Sequence, residues 1–189
     1  MNEAHLQICG GDEWAEVVEQ HIIPWVLRGV DLGDDVLEVG PGPGRTTDVL
    51  LRTAPRLTAA EVDPDLAARL AERLAGTGVE VVETDATDMP FPDGRFSAAL
   101  SFTMLHHVPS AELQDRLLAE VGRVLRPGGV VAGVDSVDSE DFRALHEGDV
   151  CVPVPPEGLA ERLTRAGFVD PEVEVNEFAV RFRAVRPSS

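Results

Sequence analysis

Glu38-Val39-Gly40-Pro41-Gly42-Pro43-Gly44 breaks a short apolar run with three glycines spaced two apart, and these residue types imply binding chemistry. Val36, Leu37 and Val39 read as a buried strand, and Gly40 to Gly44 as a tight turn opening a helix. Glycine reaches positive φ and presents no Cβ to a ligand. Backbone N–H groups and the positive end of the next helix would then face whatever binds there. Glu38 places a carboxylate among Val and Leu, where an unpaired charge is costly to bury. That suits a cationic ligand. The spacing is G-x-G-x-G rather than the G-x-G-x-x-G of dinucleotide sites, which weakens a nicotinamide reading. Glu61 follows about 20 residues on, where a strand-end carboxylate in a Rossmann-like unit hydrogen-bonds ribose hydroxyls.

The glycine segment resembles the first motif of class I S-adenosylmethionine-dependent methyltransferases, and further motifs follow in the family's order over roughly Asp34 to Arg186. Glu83-Thr84-Asp85-Ala86-Thr87-Asp88-Met89-Pro90 resembles the adenine-side motif, which implies that Asp85 accepts from the adenine amino group and that the Ala86 amide donates to a ring nitrogen. An Asx-type turn is the alternative use of the same residues. Leu125-Arg126-Pro127-Gly128-Gly129 resembles a third signature. The resemblance thus implies a cofactor set of Glu38, Gly40, Gly42, Gly44, Glu61, Asp85, Ala86 and Ser101 around S-adenosylmethionine. Ser97 stands where the family often has Asp, a departure that touches strand packing more than chemistry. Ser101-Phe102-Thr103-Met104 is not the Asn/Asp-Pro-Pro-aromatic motif of adenine and amide N-methyltransferases. Met89-Pro90-Phe91-Pro92-Asp93-Gly94 and Leu105-His106-His107 look most like small-molecule enzymes of the ubiquinone/menaquinone-biosynthesis type.

The implied reaction is in-line methyl transfer to a small acceptor. A hydroxyl acceptor would need a base, for which His106, His107, His146 and Asp135 are the candidates. Two rival readings are an NAD(P)-dependent oxidoreductase on a similar sheet and a catalytically idle S-adenosylmethionine-binding protein of the same fold.

Strands alternate with helices until a terminal hairpin, which predicts an α/β, doubly wound, mostly parallel sheet. By resemblance it has seven strands in the order 3-2-1-4-5-7-6, with strand 7 antiparallel. The chain reads as one domain: an N-terminal helical lid (1–33), a cofactor-binding core (34–135), and a substrate-side segment with the last helix and hairpin (136–189). Gly10-Gly11-Asp12 signals a helix start, Trp14 to Trp25 carry one apolar face, and Pro24 should kink or end that helix. His5 and Trp14 are candidate lid residues. Asp63 reads as a helix cap followed by Pro64, and Leu66, Leu70 and Leu74 as a buried stripe. Asp135 to Pro155 reads as a polar connection containing Phe142 and His146. The hairpin turns at Asn176-Glu177.

With 34 acidic residues against 16 basic, all of them Arg, the formal net charge is −18. Such a field repels polyanions, so a neutral or cationic small molecule is the expected acceptor and nucleic acid is not expected. Cys9 and Cys151 are isolated, without C-x-x-C spacing, and imply neither a disulfide framework nor a metal site. No basic-then-apolar leader and no apolar run of membrane-spanning length is present, so a cytoplasmic protein with no membrane insertion is expected.

Overall fold

The computed structural model of the chain describes residues 2–188. Its sheet is built from β1 (Val36–Val39), β2 (Leu57–Glu61), β3 (Glu80–Glu83), β4 (Phe96–Phe102), β5 (Leu125–Ser136), β6 (Val169–Val175) and β7 (Ala179–Val185). The strand order is β3-β2-β1-β4-β5-β7-β6, with β7 antiparallel to both neighbours and the other pairs parallel. The order reverses between β1 and β4, so the connections leaving their C-terminal ends run to opposite faces of the sheet and open a crevice there.

Both faces of the sheet are covered. α2 (Asp12–Val17), α3 (Ile23–Val26) and α4 (Arg45–Leu50) lie on the face that carries Val36, Ala98, Leu100 and Val134. α6 (Ala111–Val124) and α8 (Leu159–Arg165) cover the face of Leu37, Ala99 and Val131. α5 (Pro64–Arg73) begins as the sequence predicts: Asp63 Oδ1 accepts from Asp65 N at 2.9 Å and Leu66 N at 3.0 Å, with Pro64 in the first turn. Leu70 and Leu74 are buried under it, while Leu66 is only half-buried and faces the crevice. Ser97 accepts from Asp35 N, and its one hydroxyl hydrogen lies within reach of the backbone carbonyls of Leu32 and Asp35, a packing role.

The N-terminal region and the connection after Asp135 carry elements beyond those expected. A helix does start at Asp12, and a further one, α1 (Glu3–Gly10), precedes it, capped by Asn2, whose Oδ1 accepts from His5 N at 2.8 Å. Pro24, expected to kink or end the helix, stands where its regular winding is interrupted. A π-helical turn, Val18–Ile22, widens the coil just ahead of it, and Pro24 then sits in the first turn of α3. The connection after Asp135 contains a further helix, α7 (Glu140–Leu145), started by Ser139 Oγ accepting from Phe142 N.

Candidate functional site

A cavity of about 400 Å³ occupies the crevice at the C-terminal ends of the strands. The turn after β1 forms one wall, with Gly40, Gly42 and Gly44 all at positive φ. Gly42 N donates to Glu61 Oε2 at 2.9 Å, so the glycine turn and the end of β2 are tied through the predicted ribose ligand. Glu61 Oε1 accepts from Val62 N and Asp63 N, both at 3.0 Å. A carboxylate offers about four acceptor positions. Three backbone donors leave room for one hydroxyl at a side chain that is 5% exposed and lines the cavity. Asp85 and Ala86 line the next wall, and Asp85 Oδ1 also accepts from Thr87 N at 2.8 Å. The Asx turn and a cavity-facing position therefore coexist.

Glu38 departs from the expectation. It is 1% exposed, does not border the cavity, and takes hydrogen bonds from the hydroxyls of Thr46 and Thr47, the latter at 2.7 Å. Burial pushes its carboxyl up to about 7 against the opposing pull of the two threonines. Its function here is to fasten β1 to α4. Gly44 likewise lies off the cavity, where a Cβ would collide with Leu70 and Arg73 of α5. Gly40 borders it, but a Cβ there would run into Met104. Ser101 is buried against the α6 face and is not on the cavity wall; its hydroxyl has no partner among the described residues.

The proposed bases are brought together, though most lie one layer behind the wall. His106 Nδ1 sits 2.6 Å from Asp135 Oδ1, and both side chains are inaccessible. His106 Nε2 is 3.0 Å from His146 Nε2, whose Nδ1 donates to Phe142 O at 2.7 Å. His107 alone of the four lines the cavity. Its imidazole is held down to about 3, first by burial and then by the neighbouring histidines. Gln114 fixes this loop by donating to Leu105 O and Val152 O at 3.0 and 2.9 Å. His5 joins the cluster from α1, its ring 4.4 Å from that of His146, centroid to centroid. Burial, followed by the charges of His146 and His106, lowers it to about 4. Of the polar connection that contains Phe142 and His146, it is Asp149 and Val150 that border the cavity.

Several lining residues carried no readable signal in the sequence. Thr103 holds a left-handed φ of 47° at the end of β4, a strained conformation of the sort that clusters at binding sites. Arg45 donates to Gly10 O and lies 3.2 Å from Asp12, joining the glycine turn to the N-terminal helices. Cys9 supplies that side of the cavity together with Trp14, which the sequence offers as a lid candidate, and burial raises the Cys9 thiol to about 11.

The methyltransferase-domain family matches residues 37–133, a little over half of the chain. A probable ribosomal RNA small subunit methyltransferase A of Haloarcula marismortui is 46% identical over 89 residues, covering 45% of this chain and 30% of its own length. A fatty-acid O-methyltransferase of Mycolicibacterium smegmatis is 38% identical over 106 residues, covering 55% of this chain and 38% of its own. The chain therefore spans only about a third of the length of these two relatives. The fold is matched over 98% of both chains, at TM-score 0.75 and 18% identity, by a SAM-dependent methyltransferase from Aquifex aeolicus. The glycine turn that donates to Glu61, the cavity shared with Asp85 and Ala86, the strand order and the matched span agree, and the chain belongs to the class I S-adenosylmethionine-dependent methyltransferase family.

Proposed function

We propose that this protein transfers a methyl group from S-adenosylmethionine to a small neutral or cationic acceptor. The observation that supports it is one cavity in which the glycine turn, Glu61, Asp85 and Ala86 meet a second wall made by Trp14, His107 and Asp149. In this reading Glu61 takes a ribose hydroxyl, Asp85 and the Ala86 amide take the adenine edge, and residues 1–33 act as a lid. Glu38 and Gly44 support the turn from behind, and Ser101 belongs to the core.

The bound cofactor supplies an activated sulfonium methyl, open to in-line displacement. The chain's own contribution is to hold the acceptor at attack distance and to exclude water. An acceptor that is already nucleophilic needs no base, which agrees with three of the four candidate bases being walled off from the cavity.

The cavity carries Glu61, Asp63, Asp85 and Asp149 against Arg45, so its charge favours a cationic cofactor and disfavours anionic acceptors. The two relatives' names, one an RNA enzyme and one acting on a fatty acid, leave the acceptor open. With no lysine and −18 overall, this chain is poorly suited to RNA. Labelled methyl transfer should be measured on small amines, phenols and hydroxylated metabolites beside ribosomal RNA. A small-molecule product is expected. RNA labelling that falls steeply with salt would overturn the acceptor class. Calorimetric binding of NAD(P) in preference to S-adenosylmethionine would overturn the reaction.

A further inference from the structure

Four histidines from three distant stretches of sequence, His5, His106, His107 and His146, share one region, His107 on the cavity wall and the others behind it, and the methyl transfer described above makes no use of those three. His5 Nδ1 and His107 Nε2 are buried and have no hydrogen-bond partner among the described residues. An unpartnered polar nitrogen is costly to bury. His146 donates its Nδ1–H to Phe142 O at 2.7 Å, so its Nε2 carries the lone pair. His107 Nδ1 is 3.3 Å from Val150 O, which leaves Nε2 as its free acceptor. A ring N–H given to a backbone carbonyl is the arrangement that orients a metal-ligating histidine.

One ligand atom from each of His5, His107 and His146 lies within 4.8 Å of the other two. Two nitrogens on one tetrahedral ion, bound at about 2.0–2.1 Å, stand roughly 3.3 Å apart, so side-chain movements of about 1 Å would complete the geometry. We propose that His5, His107 and His146 form a three-imidazole site for a divalent first-row ion of the zinc class, which pins α1 to the acceptor side of the cavity. The ion takes over the His146 lone pair that otherwise faces His106 Nε2 at 3.0 Å. Asn2 already brings α1 to this place, donating from Nδ2 to Leu145 O at 2.9 Å and from its backbone N to Asp149 Oδ2 at 2.8 Å. His107 and Asp149 also line the cavity, so a fourth position on the ion is within reach of an acceptor.

Untagged full-length protein, stripped with a chelator, should be titrated with Zn²⁺ alone and with Co²⁺ alone. One ion per chain is expected, with the visible absorption of four-coordinate Co²⁺ and a rise in melting temperature on adding Zn²⁺. His5→Gln and His107→Gln should each weaken binding by roughly tenfold or more, and exposed His21→Gln should not. His146→Gln risks unfolding, so His5→Gln, on a peripheral helix and with a native circular dichroism spectrum, is the deciding variant. Failure to bind either ion, or equal binding by His5→Gln and His21→Gln, would overturn the site. Cofactor and acceptor are both left out, so this outcome is independent of the proposed methyl transfer.

Discussion

Glu61 and Glu38 are both buried carboxylates beside the glycine turn, but their partners give them different work. Glu61 accepts from three backbone amides and keeps a face on the cavity. Glu61→Ala should weaken S-adenosylmethionine binding by roughly 1 to 3 kcal/mol. Calorimetry checks this, and an unchanged dissociation constant in a folded variant would remove the ribose assignment. Glu38 is met only by neutral hydroxyls, so its charge is poorly compensated and its carboxyl rises to about 7. Between the usual 4.5 and about 7 the folded chain holds a proton that the unfolded chain has released. Stability from this group therefore falls as pH rises through that window and levels off above it. At about 1.4 kcal/mol per pH unit the loss is on the order of 3 kcal/mol. Glu38→Gln should be less sensitive than the wild type to a change from about pH 5 to pH 8, read from urea midpoints without cofactor. Parallel pH profiles for the two proteins would contradict it.

Among the elements, α3 is held to the far side of the sheet by a small polar cluster in which Arg181 is the buried cation, with Trp25 and Arg28 also reaching Glu174 of β6 and Arg183 reaching Gly29 O. Arg181 on β7 is 1% exposed and donates to Val26 O, to Arg28 O at 3.0 Å and to Glu174 Oε1 at 3.0 Å. It thereby satisfies carbonyls at the helix C-terminus that have no partner within the helix. Arg181→Met keeps most of the buried volume and removes those donors, which should cost about 1 to 3 kcal/mol. For a chain of this length that is a fall in melting temperature of roughly 2–4 °C per kcal/mol. Hydrogen exchange should quicken first in Ile23–Val26 if the loss is local as argued. On the opposite side of the turn, Gly40→Ala meets Met104 and is also strained by a φ of 66°. Adding Met104→Ala should recover only the steric part of the lost stability, because the backbone strain stays.

For the molecule as a whole, an excess of 18 negative charges sets the long-range field. S-adenosylmethionine carries a sulfonium charge that its demethylated product lacks. Raising salt should therefore weaken binding of the cofactor more than binding of the product. Equal salt dependence in paired calorimetric titrations would show that the local arrangement around Arg45 outweighs the field. Among the described residues no helix is long and apolar enough to cross a membrane.

The glycine turn and the place of Glu61 were legible because each depends on local signals, an apolar run, a turn residue and a fixed offset, whereas the strand order and the places of Asp85 and Ala86 came from the family resemblance. The true bounds of β6 and β7, which leave Phe178 75% exposed outside the strand, were not, since an alternating pattern does not say where pairing stops. Glu38 and Gly44 were assigned to the ligand because sequence shows that a residue is near a turn but not which way it faces. Only the packing of α4 and α5 on the sheet turns both away from the cavity. The gathering of His5, His107 and His146 was beyond any local pattern, for their proximity exists only once α1, the loop after β4 and the residues after α7 are folded against one another.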